Sequence, residues 1–166
     1  MRPSKVDYYL EIAEAISKRG TCIRRIFGAV IVNQDQIVST GYVGAPRGMT
    51  NCIDIKRCLR QEHNVVPGER YELCRSVHAE MNAIIHASRS EMLGSTMYLV
   101  GFNVKDGSCV TNTEPCKLCK RMIINAGISK VVVKRGSEVN EGYYNIIIFD
   151  VNNWVKTEDF LLSEVY

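Results

Sequence analysis

Two short stretches of this chain are chemically useful only if the fold brings them together, and that requirement constrains it more than any other feature. The first is Val77-His78-Ala79-Glu80-Met81-Asn82-Ala83; the second is Thr113-Glu114-Pro115-Cys116-Lys117-Leu118-Cys119. Each heads a segment with helical periodicity. The first supplies an imidazole and, two residues later, a carboxylate. The second supplies two thiols three positions apart, directly after a proline. His78, Cys116 and Cys119 suit zinc, and a catalytic zinc takes three protein ligands and keeps one position open. Glu80 is too close to the histidine in sequence to coordinate as well, and it can carry protons. Taken singly, each element has a plainer reading. His78 could be a structural histidine, Glu80 a solvated first-turn carboxylate, and the Cys-x-x-Cys a redox pair or half a structural zinc site. Taken jointly, with proline before the first cysteine, they point to hydrolytic zinc chemistry.

The rest of the chain supplies a frame for these stretches. From Lys5 to Lys18 the residues Val6, Tyr9, Ile12, Ala13 and Ile16 recur at helical spacing, and Gly20 stops the helix. Phe27 to Asn33 and Gln36 to Val43 read as a hairpin of two strands turning at Gln34-Asp35. Val77 to Arg89 reads as a helix, with Met81, Ile84, Ile85 and Ser88 in register, and Thr96 to Gly101 as a short buried strand followed by a loop. Pro115 suits the first turn of a helix running to Ala126 and ended by Gly127. Lys130 to Lys134 and Asn145 to Val151 read as buried strands. This order predicts an α/β fold, a three-layer α/β/α sandwich around a five-stranded mixed sheet. The short link between the last two strands predicts that the last one is antiparallel, because a parallel crossover needs a dozen or more residues. The whole of residues 1–166 is expected to form one domain, with an irregular insertion at about 44–76 that lacks a helix or strand of its own.

Composition narrows the partners. Apolar residues make up 46% and charged residues 23%, as in ordinary globular chains. A net charge of +3, with the basic residues scattered and Arg24-Arg25 one of several adjacent pairs, gives no stripe for a polynucleotide backbone. No apolar run is long enough to span a membrane. The start of the chain leads into a helix bearing Asp7, Glu11 and Glu14 and not into an apolar signal core. Seven cysteines, an odd number, fit a reducing compartment better than a disulfide framework, so a cytoplasmic location is expected.

Placing the zinc ligands at helix starts has two consequences. Rigid elements hold a tetrahedron better than loops, and the partial positive charge of a helix N-terminus favours the thiolates that zinc requires. A zinc held there lowers the pKa of water from about 15.7 towards 7. Glu80 can then take the water proton and hand it on to the reacting molecule.

At these residues the chain resembles the cytidine and deoxycytidylate deaminase superfamily, and within it the deoxycytidylate (dCMP) deaminases. The similarity runs from about Thr21 to Val133. It includes Gly28-Ala29-Val30-Ile31-Val32, the glycine-rich Gly41-Tyr42-Val43-Gly44-Ala45-Pro46-Arg47-Gly48, His78-Ala79-Glu80 and Pro115-Cys116-Lys117-Leu118-Cys119. The resemblance implies a cytidine deaminase-like fold and hydrolysis of dCMP to dUMP and ammonia, which feeds thymidylate synthesis. It also implies a homo-oligomer, commonly a hexamer. Val43 stands where the family usually has asparagine, which puts regulation by dCTP and dTTP in question. The resemblance makes Arg24 the first candidate for the substrate phosphate, with Arg47 next, and Ala79 a substrate contact. It further implies a second, structural zinc at Cys22 and Cys52; among the remaining residues Cys58 and Cys74 could complete four thiolates, or His63 could replace Cys58. The competing reading is buried cysteines without a ligand. Other functions stay open: deamination of cytidine, of a free base, of a riboflavin precursor or of adenosine in tRNA, or an inactive zinc-stabilised binding module.

Overall fold

The computed structural model describes residues 2–139 and 142–162. Helix α1 (Lys5–Ser17) starts at Ser4, whose hydroxyl accepts a hydrogen bond from the Asp7 N–H at 3.1 Å. Strands β1 (Arg25–Asn33) and β2 (Gln36–Tyr42) form the expected hairpin. Gln34 and Asp35 both take positive φ (47° and 64°), as two-residue hairpin turns that match the twist of their strands require. Strands β3 (Thr96–Asn103), β4 (Lys130–Gly136) and β5 (Tyr144–Asp150) complete a five-stranded sheet in the order β2-β1-β3-β4-β5. The β3–β4 pair is parallel and the others are antiparallel, including β5 on β4, as the short connection demands.

Between β2 and β3 lie α2 (Cys52–Ile55), α3 (Leu59–Glu62), a 3-10 turn at Tyr71–Leu73, α4 (Ala79–Ile85) and α5 (Arg89–Met92). Helix α6 (Lys117–Ala126) joins β3 to β4, and α7 (Val151–Thr157) and α8 (Asp159–Leu162) follow β5. Alternation along the central strands sends Val30, Val32, Tyr98, Val100 and Val132 to one face, where α1 covers them with Tyr9, Leu10 and Ala13. Ala29, Ile31, Met97, Leu99, Val131 and Val133 go to the other face, under α4 and α6. The three layers follow from this division.

Four sequence expectations need correction. The insertion has helices of its own, though each is at most a turn. The helix after His78 ends at Ile85, because Ser88 and Glu91 form a capping box that starts α5. Pro115 precedes the helix instead of occupying its first turn, and Cys116 is the N-cap. Strand β5 is an edge with one solvent face: Ile148 is 60% exposed, and Ile146 and Tyr144 lie beside it. Its other face, with Ile147 and Phe149, packs on the core, where the unforeseen α7 adds Val151 and Trp154.

Candidate active site

The position of α4 is set by β2. A Cβ on Gly41 would sit 2.3 Å from the Ala79 carbonyl and 2.3 Å from the Ala83 nitrogen, so only glycine lets the helix lie this close. Ser39 donates to the Ala83 carbonyl at 2.7 Å, and the Asn82 amide donates to the Tyr42 carbonyl at 2.8 Å. Val77 exchanges both backbone hydrogen bonds with Gly44, at 2.7 and 3.2 Å. Clamped on both sides of the turn, His78 becomes the N-cap of α4, and Glu80 falls in the first turn, 5% exposed.

The second stretch is anchored from β4. Arg135 donates to the Thr113 carbonyl and to the Glu114 carboxylate, both at 2.9 Å, and Lys120 pairs with the same carboxylate at 2.5 Å. Thr113 donates to the Val110 carbonyl. Cys116 then caps α6, its sulfur accepting from the Cys119 N–H at 3.4 Å, and Cys119 is fully buried.

These two anchors bring the three expected ligands together. His78 Nδ1 lies 3.5 Å from Cys116 Sγ and 3.4 Å from Cys119 Sγ, and the three ligand atoms are all within 4.8 Å of one another. A tetrahedral zinc with Zn–S near 2.3 Å and Zn–N near 2.0 Å has N···S edges of about 3.5 Å. The side chains thus stand at the spacing zinc requires. The charge balance points the same way. A hydrogen bond from Cys119 draws the Cys116 thiol down to about 4 against burial, with His78 assisting. Cys119 is pushed up by Cys116, by burial and by Glu80, because two neighbouring thiolates repel. Burial opposes charge on His78, yet Cys116, Cys74 and Glu80 raise it to about 10. A dication is the partner that allows both sulfurs to ionise. Burial raises the Glu80 carboxyl above its usual range, and the carboxyl lies against Cys119.

The group borders a cavity of about 510 Å³, large enough for a small molecule. Ala79, Glu80 and Arg24 line it, as do Cys22, Cys58 and Cys74. Arg47 is not among the lining residues: its guanidinium lies 2.6 Å from His86 Nε2. Val43 lines the cavity and is buried, so position 43 presents an apolar side chain there. Cys52 is buried 4.0 Å from the Ser76 hydroxyl; burial raises its thiol, and the nearby Cys22, Cys74 and Cys58 add to the rise. His63 is exposed at the end of α3. Among the described residues, His78, Cys116 and Cys119 are the one group of three such ligands within 4.8 Å, so Cys22, Cys52, Cys58 and Cys74 share a neighbourhood without closing to that distance. Sequence reasoning missed Arg60 and Tyr71, which line the same cavity from the insertion. Neither carries a spacing or motif signal of its own.

The profile of the cytidine and deoxycytidylate deaminase zinc-binding region matches residues 3–135. A deoxycytidylate deaminase of Mycobacterium phage D29 is 34% identical over 82% of this chain and 98% of its own length. The deoxycytidylate deaminase of Saccharomyces cerevisiae is 31% identical over 89% of this chain, which spans 43% of the yeast protein. A crystal structure of the dCMP deaminase of cyanophage S-TIM5, in complex with dCMP and dUMP, superposes with a TM-score of 0.56 at 27% identity, covering 80% of this chain and 82% of that one. With the motifs, the sheet order and the ligand geometry in agreement, the chain belongs to the cytidine and deoxycytidylate deaminase zinc-binding family.

Proposed function

We propose that this protein deaminates dCMP by hydrolysis, giving dUMP and ammonia, with zinc held by His78, Cys116 and Cys119. The observation that carries the reading is the pairing of that ligand triangle with a buried carboxylate, Glu80, at the edge of one cavity. The deoxycytidylate deaminase relatives and the relative crystallised with dCMP and dUMP supply the substrate class. Zinc supplies Lewis-acid activation of water at neutral pH. Glu80 does the proton transfer: its raised pKa suits a group that takes a proton from water, gives it to the ring nitrogen beside the attacked carbon, and serves the departing amine. Ala79 and Arg24 border the cavity and are proposed substrate contacts. Arg24→Ala should raise the Michaelis constant for dCMP more than for deoxycytidine, and equal effects would remove it from the phosphate site.

Glu80→Gln tests the assignment directly. The variant should keep its zinc and fold while turnover falls to a trace; retained activity would refute the role. An inactive binding module is disfavoured because a purely structural zinc gives no reason to bury Glu80 beside it. The shared neighbourhood of Cys22, Cys52, Cys58 and Cys74 supports a second, structural zinc as an additional reading, one that would need them to draw together around the metal. Two zinc equivalents per chain, falling to one in Cys52→Ala, would support it, and one equivalent in the wild type would sink it. The solvent face of β5, with Tyr144, Ile146 and Ile148, supports a homo-oligomer, and a hexamer is the expected size in solution scattering. No helix among the described residues is long and apolar enough to cross a membrane. The proposed setting is cytoplasmic, with a nucleotide and no nucleic acid polymer as partner.

A further inference from the structure

Among the described residues two charged side chains are buried, Glu80 and Arg60, and both line the active-site cavity. Glu80 has a task in the reaction. Arg60, 8% exposed, has none so far and no ion-pair partner among the described residues. Burying a guanidinium without an ion-pair partner is costly, so a fold that keeps one is set up to receive an anion.

The surroundings fix where that anion would sit. Arg60 comes from α3, and its Nη2 donates to the Val66 carbonyl at 3.0 Å, which holds the side chain against its own loop. The guanidinium carbon stands 4.5 Å from the centre of the Tyr71 ring. Tyr71 in turn meets the His78 ring edge-on, with centroids 4.8 Å apart and an interplanar angle of 84°. The guanidinium therefore lies one aromatic ring away from the zinc-ligand triangle. Its Nε–H is buried without a hydrogen-bond partner.

We propose that Arg60 contacts the phosphate monoester of the substrate alongside Arg24, with Tyr71 holding the guanidinium plane. This rests on the dCMP reading above, and it deepens that reading by naming how a nucleotide is preferred to a nucleoside. In such a substrate the phosphate is separated from the reacting carbon by the sugar, which agrees with a cation set one ring back from the ligand triangle. Arginine suits the role because its planar fork meets phosphate oxygens in pairs. The neighbouring Arg24 and Arg25 line the same cavity but are only half-buried. They carry no comparable desolvation cost, so Arg24 assists at the phosphate from the wetter side while Arg60 supplies the fixed charge. The plainer alternative is that Arg60 merely staples the insertion, through Tyr71 and Val66.

The test compares the zinc-loaded full chain with Arg60→Gln and Arg60→Lys, using dCMP and deoxycytidine as substrates and calorimetric titration with deoxyribose 5-phosphate. Loss of a charge-assisted hydrogen bond of this kind should lower kcat/KM for dCMP about 10- to 100-fold in Arg60→Gln, mostly through KM. The loss on deoxycytidine should be at least tenfold smaller. Arg60→Lys, which keeps the charge and loses the fork, should fall between wild type and Arg60→Gln on dCMP, and it serves alone if Arg60→Gln does not fold. Deoxyribose 5-phosphate should bind the wild type and lose affinity in both variants. Equal losses on the two substrates, or unchanged binding of deoxyribose 5-phosphate, would assign Arg60 to stapling and overturn the proposal. A wild type that fails to deaminate dCMP would overturn the dCMP reading instead, and the titration would still decide the role of Arg60.

Discussion

The two faces of the central sheet share strands, yet they are built under different demands. The face under α1 is a packing surface. Tyr9, Leu10 and Ala13 meet Val30, Val32, Tyr98 and Val100, and the Tyr9 hydroxyl is satisfied by Asp35 at 2.8 Å. The face under α4 and α6 buries Ala79, Ala83, Cys119 and Ile123 by the same means. It also holds a carboxylate, an imidazole and two thiols whose charges are settled only by a metal. One glycine on each face permits the helix to approach. A Cβ at Gly28 would stand 2.1 Å from the Ala13 carbonyl, and one at Gly41 would stand 2.3 Å from the Ala79 carbonyl. The same steric device therefore secures a scaffold on one side and aims His78 and Glu80 on the other.

The largest expected break in this comparison is chemical. Removing the proton carrier in Glu80→Gln should lower kcat about 10²- to 10⁴-fold. Thermal stability should be unchanged or slightly higher, because a carboxyl whose ionisation is opposed by burial is replaced by a neutral amide. Steady-state kinetics and a melting curve on one preparation check both halves.

The glycine pair sharpens the contrast. Gly28→Ala and Gly41→Ala should each destabilise the fold by about 1–3 kcal/mol through overpacking. Below the melting transition, Gly28→Ala should keep near wild-type turnover per zinc. Gly41→Ala should lose turnover or zinc, since the helix it displaces carries both His78 and Glu80. If the two variants lose activity alike, the division between the faces is wrong.

The smallest effect belongs to the scaffold face. Burial, with Asp35 adding to it, pushes the Tyr9 phenol up to about 12 from its usual 10. A raised folded-state pKa on an acid that ionises to an anion favours the neutral phenol in the native state. Its contribution is fully present below pH 10 and is lost as pH rises through about 12. Tyr9→Phe should cost about 1 kcal/mol at neutral pH through the lost hydrogen bond. It should also flatten part of the alkaline loss of stability and leave dCMP turnover untouched. Denaturant titrations at neutral pH and at pH 11 test this.

How far the sequence foretold each region depended on the range of the forces at work. The ligand set was legible because zinc chemistry demands particular donors at particular spacings, and His78, Cys116 and Cys119 meet in space as their motifs imply. The antiparallel β5 followed from the length of its connection. Helix α7 was not legible: Trp154 and Val151 are helical because they complete a core assembled from distant strands, and they form no long apolar stripe. The break after Ile85 was written in Ser88 and Glu91, a capping signal masked by the apolar periodicity around it. The exposure of β5 was hidden because an apolar run reads alike at an edge and in a core. Arg60 and Tyr71 escaped notice for a different reason. They meet by stacking across the insertion, and no local pattern encodes such a contact.

The most direct test of the central account is the conversion of dCMP by the purified chain, followed as dUMP and ammonia before and after zinc removal. The account predicts one ammonia per dUMP, loss of turnover when a chelator strips the metal, and recovery when zinc is restored. A zinc-loaded, folded protein that leaves dCMP unchanged, or one whose turnover is indifferent to chelation, would contradict it.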